Sequence, residues 1–268
     1  MKVFIIDAFT DQPFKGNPAG VCLLEKEISV ETMQSIATEL NLSETAFLRQ
    51  SSRDHTHYSI RYFTPTVEIA FCGHATLASS KLVLHNLGKN RVDFITFHGL
   101  KLSAVSEGES IKMKFPLYET VDYIPNQTLY EAFGITDVKA SKFAVSLDML
   151  IIEVADKETL LSLQPDFMKA IGTSDTIKEL VVTARSENHE YDFYSRCFCP
   201  WIGINEDPVT GASHTVLAKY WGDILGKTEM RAYQCSQRGG FMNLKVISDS
   251  ELEVVSKAVI VFEGIVHL

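Results

Sequence analysis

The chain has 268 residues, 46% of them hydrophobic and 22% charged, with a formal net charge of −9. This composition builds a folded core, and the acidic balance without any basic tract excludes nucleic acid or an acidic membrane surface as the main partner. No apolar run is long enough to span a bilayer, Val3–Ile6 is too short for the core of a secretory signal, and the five scattered cysteines imply no disulfide framework, so a cytoplasmic protein with reduced thiols is expected.

In chain order, Lys2–Ala8 alternates as a strand, and Asp11 to Pro18 is dense in turn formers, so Asn17-Pro18 is assigned to a loop. Gly20–Leu24 is a second strand. Ser29 caps a helix whose Met33, Ile36, Ala37 and Leu40 share one face. Glu44 precedes an apolar strand, at the rim where sheet meets loop. The polar run Ser51 to His57 holds His55 and His57 without ligand partners at metal spacing, and reads as a solvated hairpin turn. Ser59–Phe63 is a strand ended by Thr64-Pro65-Thr66. Gly73 opens a helix carrying Ala75, Leu77, Ala78, Leu82 and Val83 inward, and Gly88 stops it. Strands at 93–96, 100–105 and 110–115 follow, and Pro116 to Gln127 reads as a linker.

The second half repeats the first. Arg61-x-Phe63-x-Pro65 recurs as Arg196-x-Phe198-x-Pro200. Glu68-x4-Gly73 recurs as Glu206-x4-Gly211, and each glycine opens a helix that ends near another (Gly88; Gly222). Upstream, the strand Met149–Val154 leads to a helical stretch at 158–163. A duplicated α+β unit of roughly 110–120 residues is expected, as two similar domains (1–118 and 127–268) with mostly antiparallel strands and one central helix per copy. Two such domains form a cleft, where two helix starts with free amides would suit an anion.

The residues placed near that cleft carry proton-transfer chemistry: Glu44, Asp207, Glu206, His74, Cys72, Thr210 and Ser213. A carbon acid beside a carboxylate needs a base, an acid and donors for the enolate-like oxygen. A two-thiol racemase is broken here, because Thr210 stands where a second thiol would face Cys72. Cys72 then reads either as a base with a non-thiol partner or as a buried small apolar residue. A buried Glu44 or Asp207, with a raised pKa, could shuttle the proton instead. Ser213 either binds a carboxylate or caps the helix. Glu68 and Glu206 read as partners of Arg61 and Arg196. Cys197-x-Cys199 is tighter than a zinc pair and has no matching pair elsewhere, so no metal is expected. Neither a dinucleotide-binding G-x-G-x-x-G after a strand nor a P-loop is present.

Asp7-Ala8-Phe9-Thr10 with Gly16-Asn17-Pro18-Ala19, Ser43-Glu44-Thr45-Ala46-Phe47, Cys72-Gly73-His74-Ala75-Thr76 and Glu206-Asp207-Pro208-Val209-Thr210-Gly211 together resemble the phenazine-biosynthesis PhzF-like isomerase family. The resemblance covers nearly the whole chain. It implies a diaminopimelate epimerase-like fold, in which each of two similar domains is a strongly curved sheet around a central helix, together with a homodimer, no cofactor, and a small carboxylate-bearing metabolite as substrate. It implies that Glu44 shuttles a proton, that His74 and Asp207 contact the substrate, and that the Gly73 and Gly211 backbone helps hold it, with Ser43 and Ser213 as further binding candidates. The family often reads T-G-S-A-H where this chain has Thr210-Gly211-Ala212-Ser213-His214, so the hydroxyl is displaced by about 100° around the helix. The alternatives carried forward are a Cys72-dependent racemase or epimerase and a non-catalytic small-anion binding protein of the same fold.

Overall fold

The computed structural model describes residues 1–52, 54–187 and 189–268. Arg53, within the expected hairpin turn, lies outside the described residues. The chain packs as two compact units, one of Met1–Lys114 with Glu253–Leu268 and one of Phe115–Leu252.

The first unit runs β1 (Lys2–Ala8), β2 (Asn17–Leu24), α1 (Val30–Leu40), β3 (Glu44–Gln50), β4 (His57–Phe63), β5 (Glu68–Ile69), α2 (Gly73–Lys81), β6 (Arg91–Thr96), β7 (Lys101–Glu107) and the start of β8 (Ser110–Pro116). The second runs β9 (Val121–Asp122), α3 (Gln127–Phe133), β10 (Ala140–Ala144), β11 (Met149–Glu153), α4 (Lys157–Ser162), α5 (Phe167–Ile171), β12 (Glu179–Arg185), β13 (Phe193–Cys199), β14 (Ile204–Asp207), α6 (Gly211–Leu225), β15 (Glu229–Gln234) and β16 (Gly240–Ser248).

The duplication expected from the sequence is visible in the pairing pattern. In the first unit β1–β2 is antiparallel, β2–β3 parallel, β3–β4 and β4–β5 antiparallel, β4–β6 parallel and β6–β7 antiparallel. In the second, β10–β11, β11–β12, β12–β13, β13–β14, β13–β15 and β15–β16 repeat the same series. Each parallel pair needs a crossover. α1 bridges β2 to β3, and α2 bridges β4 to β6. The helices α4 with α5, and then α6, do the same work in the second copy.

Local chemistry sets these elements. The Ser29 side chain accepts from the Thr32 amide and Asn41 closes α1 in the left-handed region; such a cap contributes about 1 kcal/mol. α1 buries Met33, Ile36 and Ala37 against Cys22, Leu24, Phe47 and Phe63, and each large apolar side chain so buried contributes roughly 1.5–3 kcal/mol. α3, α4 and α5 cover the equivalent face of the second sheet with Leu129, Phe133, Leu160 and Ala170 against Leu150, Ile152, Leu180 and Val182. The central helix α2 lies against β1, β2 and β3, and its residues from His74 to Ser80 are buried on every side. Its polar residues turn inward on the helix itself: Thr76 Oγ1 donates to the Cys72 carbonyl at 2.6 Å and Ser80 Oγ to the Thr76 carbonyl at 2.8 Å. In the second unit, Trp221 of α6 stacks on Phe193 at 5.7 Å and donates Nε1–H to Thr183 Oγ1 at 3.0 Å.

Four expectations are corrected. Residues 253–268 belong with the first unit rather than the second half: β17 (Glu251–Ser256) leads back to β18 (Ala258–Ile265), which pairs antiparallel with β1 from Lys2↔Ile265 to Ala8↔Ala258. Asn17 and Pro18 open β2 instead of shaping a loop, because they continue its ladder with Ala8 and Asp7. The segment read as a linker contains β9, paired with β10. Helix α6 runs through Gly222 to a left-handed cap at Gly226; a Cβ at Gly222 would meet the Lys227 carbonyl at 3.1 Å, so that glycine serves close packing rather than termination.

Candidate functional site

Ser43 and Glu44 sit at the entry of β3, and Cys72, Gly73 and His74 sit where the short β5 passes into α2. Parallel pairing of β2 with β3 sets Ala19 opposite Glu44, while Asn17 lies two residues earlier on β2. The fold thereby brings Asn17, Ser43, Glu44, Cys72 and His74 together in the first unit. His74 Nε2 is 3.1 Å from Glu44 Oε2, with side-chain exposures of 9% and 12%. Ser43 Oγ is 3.4 Å from the same ring nitrogen. On the other side of the ring, Nδ1 lies 3.4 Å from Asn17 Nδ2 and 3.4 Å from Cys72 Sγ.

The electrostatics follow from this packing. Burial opposes charge on His74, but its partners outweigh it and raise the imidazole above its ordinary pKa; with Cys72 a neutral thiol, the Glu44 carboxylate is the charge that does this. Burial likewise pushes Glu44 up, yet the His74 and Ser43 hydrogen bonds win and leave the carboxyl below its ordinary range. That reverses the raised pKa expected for a buried shuttle: the carboxylate is ionised at neutral pH because a charged imidazole faces it. Burial, opposed by His74, raises the Cys72 thiol, so the thiolate form is scarce. Glu44, Cys72 and His74 also place one potential metal-ligating atom each within 4.8 Å of one another.

In the second unit the corresponding turn is built differently. Asp207 ends β14, and its Oδ2 accepts from Thr210 Oγ1 at 2.5 Å. Gln234 of β15 clamps the turn: the Thr210 amide donates to Gln234 Oε1 at 2.9 Å, and Gln234 Nε2 donates to the Asp207 carbonyl at 2.8 Å. Neither Cys72 nor Thr210, the N-cap residues of α2 and α6, caps its helix with a side chain, so the amides at Gly73 and Gly211 begin each helix without one. Ser213 is fully buried and donates to the Thr210 carbonyl at 2.9 Å, a back-bond within the first turn and not a cap, since a capping hydroxyl accepts from an amide N–H. His214 donates Nδ1–H to the same carbonyl at 2.8 Å, and its Nε2 is buried without a partner.

Glu68 and Glu206 are structural in this geometry. Arg61 donates to Glu68 through Nε and Nη2, both at 2.7 Å, and Arg196 donates to Glu206 at 2.8 and 3.0 Å. The run around His55 and His57 is an exposed turn, with Asp54 Oδ2 2.9 Å from His57 Nδ1. A recess of about 1490 Å3 in the first unit is lined by Arg49, His55, His57, Arg91 and Lys101 and does not reach Glu44 or His74. The buried carboxylate–imidazole pair, not this recess, marks the candidate site.

Asn17 and Gln234 were missed as site residues. The first was hidden by its Pro18 neighbour, which signals a turn. The second sits in an ordinary alternating strand with no local mark.

A duplicated α+β unit whose short strand feeds a glycine-led helix defines an epimerase-like architecture. The family model described as phenazine biosynthesis-like protein matches residues 6–264, and the chain belongs to that family. It is 40% identical over 284 residues to phenazine biosynthesis-like domain-containing protein 2 of Mus musculus, covering 98% of each chain. It is 40% identical over 270 residues to a Pseudomonas aeruginosa protein named as an uncharacterized isomerase, covering 100% of this chain and 99% of the other. A crystal structure of a phenazine biosynthesis PhzC/PhzF protein from Clostridium difficile matches with a TM-score of 0.90 at 34% identity, over 100% of both chains.

Proposed function

We propose that this chain is a cofactor-independent isomerase that moves a proton between carbons of a small carboxylate-bearing substrate. The observation that carries the reading is the buried Glu44–His74 pair, 3.1 Å apart, with the carboxylate ionised. Glu44 removes a proton from an acidified carbon and becomes neutral. The same carboxyl then returns the proton to a different carbon, so the double bond moves and no electrons leave the substrate. His74, as an imidazolium, holds the carboxylate in place and donates a hydrogen bond while charge develops. The Gly73 amide at the start of α2 stabilises the enolate-like oxygen. The name of the Pseudomonas aeruginosa relative supports an isomerase.

The Cys72-dependent racemase is the weaker reading, since burial raises the thiol pKa that such a base needs low. The test is a screen of small carboxylates with the wild-type protein in heavy water. An isomerised product, with deuterium gained at carbon where Glu44 exchanges its proton with solvent before returning it, supports the proposal. Binding with neither product nor label, across every ligand found, leaves the non-catalytic binding protein as the correct reading.

A further inference from the structure

Outside the Glu44–His74 cluster, the second unit holds a set of donors that the proposed reaction does not use. Glu179 opens β12, and Cys197 and Cys199 lie two residues apart on β13, so their side chains leave the same face of the strand. The antiparallel register of β12 with β13 pairs Val181 with Cys197 and Leu180 with Phe198, which carries Glu179 opposite Cys199. Cys197 Sγ lies 3.7 Å from Cys199 Sγ and 3.9 Å from Glu179 Oε2. One ligand atom from each of the three residues falls within 4.8 Å of the others.

We infer that Glu179, Cys197 and Cys199 form a binding site for a thiophilic divalent cation, Zn(II) by preference. Two thiolates bound to a tetrahedral zinc at about 2.3 Å stand about 3.8 Å apart, and a thiolate and a carboxylate oxygen about 3.5 Å apart. The sulfurs already have the first spacing, Cys197 Sγ to Glu179 Oε2 exceeds the second by a few tenths of an ångström, and Cys199 Sγ lies within 4.8 Å of the carboxylate. Charge points the same way. Asp207 is the charged neighbour that acts on Glu179, and among the described residues no Lys, Arg or His pairs with Glu179. Zn(II) uptake releases two thiol protons and forms two Zn–S bonds and one Zn–O bond, leaving one position of the tetrahedron open.

A disulfide between the two cysteines fits less well. Two residues of extended strand span about 6.6–6.8 Å, at the upper limit for bridged cysteines. Cysteine spacing along the chain gives no sign of this metal site, because the third ligand comes from a strand that is distant in sequence and adjacent in the sheet.

The test is a titration of the full-length, chelator-stripped and thiol-reduced protein with Co(II), followed by displacement with Zn(II). One Co(II) per chain with a thiolate-to-cobalt charge-transfer band in the near ultraviolet, bleached by Zn(II), is the expected result. The band disappears in the Cys197→Ser/Cys199→Ser variant and persists in Cys72→Ser. Should the double variant fail to fold by circular dichroism, Glu179→Gln provides the reading, with Co(II) affinity lowered more than ~10-fold, since even residues that only support metal ligands are worth that much. Absence of the band in the wild-type protein, an unchanged affinity in Glu179→Gln, or loss of the band in Cys72→Ser overturns the assignment.

Discussion

Glu44 and His74 meet as carboxylate and imidazole, Oε2 to Nε2 at 3.1 Å, nearly shut off from solvent. The pair fixes the protonation of both partners: each is charged although burial alone would neutralise it. Replacing the imidazole in His74→Gln removes the opposing charge, so the Glu44 pKa rises. The acid limb of kcat/KM then moves to higher pH by roughly 1–3 pH units. A pH–rate profile of the variant against wild type checks this, and an unmoved acid limb would mean that Glu44 is not the titrating base.

The same pair couples to stability with a definite sign. The lowered Glu44 pKa adds stability that is present above its ordinary 4.5 and lost as pH falls through the depressed value. The raised His74 pKa adds stability that is present below 6.5 and lost as pH rises through the elevated value. A double-mutant cycle of Glu44→Gln with His74→Gln, read by urea unfolding, should show full coupling between pH 4.5 and 6.5 and a decline beyond both folded-state pKa values.

Cys72 touches the imidazole but its thiol is held protonated by burial. Cys72→Ala should therefore retain turnover within about tenfold, the loss reflecting a disturbed His74 rather than a missing base. Iodoacetamide inactivation that tracks Cys72 alkylation, together with an inactive Cys72→Ala protein, would transfer the base to the thiol.

His214 is the clearest pH liability of the fold. Fully buried, it is pushed down to about 4, desolvation outweighing the Thr210 carbonyl bond. The unfolded chain binds a proton there below about 6.5, so stability falls as pH drops from 6.5 toward 4, by about 3 kcal/mol in all. Glu179, raised by burial to about 7, pulls the other way across part of this range. The readout is therefore the difference between wild type and His214→Gln in unfolding free energy at several pH values. The variant should lose that share of the acid slope, even where its absolute stability is lower.

Arg196 donates to Glu206 and also to the Leu160 and Leu163 carbonyls, tying β13 to the α4 region. Glu206→Gln should cost roughly 1.5–3 kcal/mol in denaturant unfolding while leaving kcat close to wild type. A large loss of kcat with unchanged stability would make Glu206 a catalytic group.

The sequence disclosed what depends on local chemistry. Ser29 caps α1 as its position demands, the repeated Arg-x-Phe-x-Pro runs lie on β4 and β13, and the repeated Glu-x4-Gly spacing brings the chain into α2 and α6. What it hid depends on distant pairing. The parallel partnership of β2 with β3, which brings Asn17 toward His74, leaves no periodic trace, and neither does the return of β18 to β1. The direction of the Glu44 pKa was also beyond reach: burial alone predicts a rise, and only the observed contact with His74 decides that the ion pair wins.

Single-turnover kinetics of Glu44→Gln, once a substrate is in hand, bear most directly on the proposed chemistry. The account predicts that the variant keeps its fold and binds the substrate, yet loses isomerisation and carbon–deuterium exchange in heavy water together, by ~100-fold or more. Glu44→Gln exchanging label at the wild-type rate would contradict it.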